Sequence, residues 1–162
     1  MRVGIGFDVH PVAPGRELVL GGVRFPGEQG LAGHSDADIV AHAVADAMLG
    51  AAGLGDLGAH FPDTDERWAG ADSLALLSAV AGMLGEAGYR LANADCTVVG
   101  ERPRLAAVRQ EMIERLSAAA GGSVHVKATR PEHLGALGRG EGLACMAVAL
   151  LEESRPSERE LE

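Results

Sequence analysis

Residues 2–10 of this chain, RVGIGFDVH, alternate without a break. Val3, Ile5, Phe7 and Val9 fall on one face, and Gly4, Gly6, Asp8 and His10 on the other. A period of two belongs to a β-strand and to no helix. The apolar face is expected to be ordinary core. The opposite face is bare at its two glycines and then carries a carboxylate and an imidazole. Because Asp8 and His10 are two apart, their side chains leave the same side of the sheet.

His42, within HSDADIVAH, reads as a helical residue. One carboxylate and two imidazoles, without cysteine, suit a catalytic zinc, which keeps three protein ligands and an open fourth position. If Asp8, His10 and His42 meet in space, the chain is a metal enzyme. Each also has a plainer reading. Asp8 would cap a turn, His10-Pro11 would close the strand, and His42 would be a hydrogen-bonded core histidine.

The remaining elements follow from periodicity and punctuation. Glu17 to Phe25 reads as a short hairpin with Gly21-Gly22 near its turn, and Gly27 to Gly33 as loop. A helix is expected from about Asp38 to Ala52, with Ser35 or Asp36 as N-cap and Gly53 and Gly55 as its stop. On it Asp38, His42 and Asp46 share a face at four-residue spacing, beside an apolar stripe through Ile39, Ala43, Met48 and Ala51. Further helices are expected from about Ser73 to Ala87, capped by Asp72 or Ser73, and from Leu105 to Ala119. Strands are expected at Asn93 to Gly100, Val124 to Thr129 and Leu143 to Leu151, with a short turn or helix at His133 to Leu137. The fold class is α+β (mixed α/β), one domain over residues 1–153 with a four- to five-stranded mixed sheet. Residues 154–162 read as a charged, frayed tail.

The closing run LACMAVALL is apolar at nearly every position, so both its faces need cover. Three modest helices cover one face of such a sheet. A second copy of the chain is the simplest cover for the other, so a homo-oligomer is expected.

Composition narrows the function. A net charge of −9 argues against broad nucleic-acid binding, and 3% aromatic residues leave little for base stacking. An anionic substrate remains compatible, because a metal ion and helix N-termini offset a global negative field. No apolar run long enough to span a membrane and no secretory leader is evident, and Cys96 and Cys145 read as small buried hydrophobes. A cytoplasmic, reducing location is expected.

Three segments bear on substrate. HSDAD is either a capping variant or a site where His34 and Ser35 hydrogen-bond an anionic or polyol substrate at a helix N-terminus. In GDLGAHFPDTD, Pro62 and Asp63 make a turn, or Asp63 and Asp65 accept from substrate hydroxyls. KATRPEHLGALGRGEG, with Thr129, Arg130, Glu132 and Arg139, is a solvated loop or a phosphate site. In the second reading Glu132 holds Mg²⁺ or Mn²⁺ against phosphate oxygens.

Together GFDVH, the hairpin GGV, HSDAD, the His42 helix, GDLGAHFPDTD, GADS at 70–73 and GRGEGLAC resemble a known family over about Met1 to Glu152. That family is 2-C-methyl-D-erythritol 2,4-cyclodiphosphate synthase, of non-mevalonate isoprenoid biosynthesis. The resemblance implies a homotrimer with active sites between subunits. It implies a phosphorus–oxygen lyase that turns 4-diphosphocytidyl-2-C-methyl-D-erythritol 2-phosphate into the cyclic diphosphate and CMP. Asp8, His10 and His42 would bind zinc, and Glu132 would bind Mg²⁺ or Mn²⁺. His34, Ser35, Asp56, Gly58, Phe61, Asp63 and Asp65 would line the methylerythritol phosphate. Gly100, Pro103, Arg104 and Leu105, with Thr129, would line the cytidine diphosphate, partly from a neighbouring subunit. An isoprenoid diphosphate would fit a central cavity near Phe7 and Arg139. Rival readings are a metal-dependent phosphohydrolase and a non-catalytic isoprenoid-binding trimer.

The chain departs from the family's pattern in places. Ala37 stands where Gly is usual, Arg104 where Lys is common, and Arg130-Pro131 replace part of a Thr-rich run. Met146 stands where many members carry Glu, which would leave Arg139 without its carboxylate partner.

Overall fold

The computed structural model describes residues 1–154. The expected tail, apart from Ser154, lies outside the described residues. Strand β1 (Arg2–Ala13) leads to a hairpin of β2 (Val19–Leu20) and β3 (Val23–Arg24), then to β4 (Gly30–Leu31). Helices α1 (Ile39–Ala52), α2 (Leu57–His60) and α3 (Ser73–Glu86) follow, with a 3₁₀ turn at Glu66–Trp68. The chain closes with β5 (Tyr89–Val99), α4 (Arg109–Ala120), β6 (Ser123–Thr129), α5 (Gly135–Gly138) and β7 (Gly142–Glu153). The main sheet runs β4-β1-β7-β5-β6; only β5 and β6 pair in parallel, so the sheet is mixed.

The alternation of β1 is as expected, but its core face is the opposite one. Val3, Ile5, Phe7 and Val9 are exposed, at 69%, 65%, 55% and 49%. The glycine face is the one that packs on α1. A Cβ at Gly4 would overlap the Ala47 carbonyl, and one at Gly6 the Ala43 carbonyl. Glycine here lets the helix backbone lie directly on the strand. The contact has a register. Two strand residues rise about 6.6 Å, and one helix turn about 5.4 Å. The strand step from Gly4 to Gly6 therefore matches the helix step from Ala47 to Ala43. One strand step beyond Gly6, Asp8 meets the side chain of His42, the neighbour of Ala43 on the helix.

Helix α1 is buried almost all round between the sheet and α3. Its N-cap is Asp38, not Ser35 or Asp36. Asp38 is fully buried and accepts from Val40 and Ala41 of the helix, and also from Gly21 and Gly22 of the hairpin turn. One carboxylate thus ties the β2–β3 turn to the start of α1. Burial pushes its carboxyl up to about 6 against the pull of those N–H donors. Asp72 caps α3 as expected. Helix α4 begins at Arg109 rather than near Leu105, and Val108 at its start offers no side-chain cap. Strand β4, inside the segment read as loop, pairs with the end of β1.

Helices α1, α3 and α4 cover one face of the sheet. On the other, Ile5 pairs across strands with Val148, and Phe7 with Met146. All four are exposed. The closing strand is therefore covered on one face only in a single chain. No helix among the described residues is long and apolar enough to cross a membrane.

Candidate active site

Asp8 leaves β1 on the glycine face and meets both imidazoles. Its Oδ1 lies 3.1 Å from His10 Nε2, and its Oδ2 lies 3.0 Å from His42 Nδ1. Donor atoms of the three residues all lie within 4.8 Å of one another. Burial opposes ionisation of Asp8, but hydrogen bonds from the two histidines outweigh it and hold the carboxyl well below the usual range. His10 is raised, chiefly by its hydrogen bond to Asp8.

Each imidazole is held from behind. His10 Nδ1 donates to the Ala32 carbonyl. His42 Nε2 lies 2.8 Å from Ser73 Oγ and 3.2 Å from Ser35 Oγ. Two imidazole nitrogens and a carboxylate oxygen, converging in a half-buried site with their outer atoms fixed, fit the demands of a zinc ion.

The three residues open into a cavity of about 480 Å³. His34, Ser35, Gly58, Phe61 and Asp63 line it. Arg16 donates to the carbonyls of Gly33 and Ser35 and so holds the loop that carries two of them. Sequence reasoning missed Asp46 and Trp68, which also line the cavity. Asp46 accepts the Leu57 N–H at 2.7 Å and moors the start of α2 to α1. Its place one turn after His42 was the available signal. Trp68 stacks edge-on against Phe61, with ring centres 5.0 Å apart, and its buried Nε1 has no hydrogen-bond partner among the described residues.

Two acidic residues of this loop do structural work. Asp56 caps α2 by accepting from Ala59. Asp65 caps the 3₁₀ turn, and both its oxygens are taken by Arg67. His34 reaches over to the Asp65 carbonyl at 3.1 Å and closes the loop.

The residues expected around a nucleotide gather elsewhere. Gly100, Pro103, Arg104, Leu105, Thr129 and Arg130 line a second cavity of about 440 Å³. No residue is shared between the two linings. Glu132 lines neither. It is largely exposed, 3.8 Å from Arg130, and holds a left-handed backbone at φ 52°. Arg139 is not left without a carboxylate: Glu141, two residues on, takes its Nε at 2.6 Å.

The sequence matches the YgbB family over residues 1–152. It is 55% identical over 154 residues to the 2-C-methyl-D-erythritol 2,4-cyclodiphosphate synthase of Symbiobacterium thermophilum, covering 93% of this chain and 98% of that one. It is 57% identical to part of the bifunctional enzyme IspD/IspF of Anaeromyxobacter dehalogenans, covering 93% of this chain and 40% of that one. Among solved structures, the IspF–CDP complex of Plasmodium falciparum superposes with a TM-score of 0.83 at 28% identity, covering 95% of this chain and 97% of that one. A CDP-bound 2C-methyl-D-erythritol-2,4-cyclodiphosphate synthase gives 0.84 at 34%, covering 93% and 100%. The chain belongs to the YgbB family, that of the 2-C-methyl-D-erythritol 2,4-cyclodiphosphate synthases.

Proposed function

We infer that the chain converts 4-diphosphocytidyl-2-C-methyl-D-erythritol 2-phosphate into 2-C-methyl-D-erythritol 2,4-cyclodiphosphate and CMP, in non-mevalonate isoprenoid synthesis. The observation that carries this reading is the convergence of Asp8, His10 and His42 on one cavity, in a family of this activity. The substrate's 2-phosphate attacks the β-phosphorus, the bond from that phosphorus to the CMP oxygen breaks, and CMP leaves. The reaction is a phosphorus–oxygen lyase step that needs no protein nucleophile. Both cysteines are buried.

The protein's task is to fold a flexible polyanionic chain on itself. Positioning of this kind supplies on the order of 7 kcal/mol or more in well-oriented cases. Asp8, His10 and His42 would hold zinc, and Glu132, completed by phosphate oxygens, Mg²⁺ or Mn²⁺. When bound, these cations supply Lewis-acid polarisation and neutralise two phosphates that otherwise repel. Ser35, His34 and Asp63 hold the polyol phosphate in the first cavity. Thr129 and the 100–105 loop hold the cytidine diphosphate in the second.

Because one chain keeps these cavities apart, a complete site needs a second copy. The exposed apolar face of β1 and β7 supports that assembly, which we take to be a homotrimer in the cytoplasm. The test is ³¹P NMR of the product formed with zinc and Mg²⁺ present. A cyclic diphosphate with stoichiometric CMP is expected. An open-chain diphosphate would make the chain a hydrolase instead.

A further inference from the structure

We propose that Ser73, with Asp36 behind it, is a positioning residue that fixes the tautomer of His42 and thereby presents Nδ1 to the metal. The inference rests on the reading of Asp8, His10 and His42 as metal ligands. It gives a role to GADS, the motif at 70–73 that the reaction itself leaves unused.

The number of protons available fixes the tautomer. Ser73 is 1% exposed, so water does not satisfy it. Its Oγ touches two groups, His42 Nε2 at 2.8 Å and Asp36 Oδ1. The hydroxyl has one proton to give, and a carboxylate only accepts. The proton therefore goes to Asp36, and the Ser73 oxygen accepts from His42. Nε2 carries a hydrogen, which leaves Nδ1, the atom facing Asp8, as the nitrogen that gives up its proton to a metal.

Asp36 is fixed for this purpose. Its Oδ2 accepts the Ser73 backbone N–H at 3.1 Å, and its Oδ1 accepts the Asp38 N–H at 3.2 Å. The same atoms fasten the start of α3 to the loop ahead of α1. His10 shows the parallel arrangement, since its Nδ1 donates to a backbone carbonyl and its Nε2 is left facing Asp8. The two imidazoles are thus locked in opposite tautomers by acceptors placed behind them. Only the lock on His42 is built from side chains.

A consequence follows for Ser35. Its Oγ accepts from the Ala37 N–H at 3.1 Å and is the longer of the two contacts to His42 Nε2, at 3.2 Å. With Nε2 protonated, Ser35 accepts twice, and its own hydroxyl hydrogen is free for a ligand oxygen in the cavity.

The test reads metal binding and ring protons. Long-range ¹H–¹⁵N spectra of the zinc-loaded protein should show His42 protonated on Nε2 and His10 on Nδ1. The opposite tautomer at His42 overturns the proposal without any substitution. In competition titrations against a chelator, Ser73→Ala should weaken zinc binding about 10- to 100-fold. Asp36→Ala, which removes the acceptor and frees the serine proton to turn toward His42, should weaken it at least as much. Ser73→Thr, which keeps the hydroxyl, should restore most of the affinity. The cobalt-substituted visible spectrum should shift in the two alanine variants and return in the threonine variant. Zinc affinities within twofold of the parent in both weakening variants would sink the relay. If the parent binds zinc no better than His42→Ala does, the metal reading itself fails.

Discussion

Asp8 is the residue on which the metal site turns, because both imidazoles face it. The hydrogen bond that His10 donates to Asp8 raises it above its ordinary 6.5. That proton sits on Nε2, the nitrogen a metal would need. Zinc and proton therefore compete, and metal affinity should fall as pH drops through the raised value. The metal-free pair behaves the other way. The His10 contribution to stability is complete below 6.5 and is lost as pH rises through its folded value. The Asp8 contribution is present above 3.8 and is lost only as pH falls toward its depressed value. Melting curves with and without chelator should thus separate further as pH rises from about 5 to 8. A gap that narrows over that range would contradict the ligand assignment. Ala37 poses a smaller question at the same scale. Its φ of 58° is a left-handed conformation costing about 1–2 kcal/mol in a non-glycine residue. Its buried methyl returns about 0.8 kcal/mol, and alanine also restricts the unfolded chain. Ala37→Gly should therefore change stability by less than about 1 kcal/mol, whereas the branched Ala37→Val should cost about 2 kcal/mol or more in denaturant unfolding.

At the scale of elements, the β1–α1 contact sets the site. Gly6→Ala would drive a methyl into the Ala43 carbonyl. A loss of about 3 kcal/mol is expected, since neither backbone can yield without moving Asp8 away from His42. Zinc affinity should fall along with the melting temperature, which separates this variant from an ordinary core defect. The strand was legible from its period of two, and so was the pairing of Asp8 with His10. Which face is core was not. Alternation says which residues share a side but not what covers them, and two glycines look empty until a helix backbone fills the space. The N-cap was misplaced for a similar reason. Ser35, Asp36 and Asp38 are equivalent as letters, and only the turn at Gly21-Gly22 singles out Asp38. The start of α4 was read four residues early because no capping side chain marks it. Ser73 was visible as part of a motif, but its partners lie at positions 36 and 42, and no local pattern spans that distance.

For the whole molecule, the exposed face of β1 and β7 decides the assembly. Ile5 and Val148 sit opposite each other in its middle. Ile5→Asp or Val148→Asp should yield a folded but dissociated chain, seen by sedimentation, with cyclase activity reduced to background. An active monomer would show that one chain holds a complete site. The need to cover a second face of the sheet was legible from the apolar closing strand, but the proposed division of the substrate between copies rests on the resemblance alone. No spacing in one sequence says that residues 100–105 and His42 belong to different cavities.

On the proposed division, each protomer is half of two sites rather than the whole of one. Two separately dead proteins should therefore cure each other. His42→Ala has lost the metal half and keeps the nucleotide half, and a variant disabled at Thr129 and Glu132 has the reverse defect. Co-expressed in equal amounts and assorting at random, they should recover about a quarter of the parental activity, although neither carries a working copy of the gene.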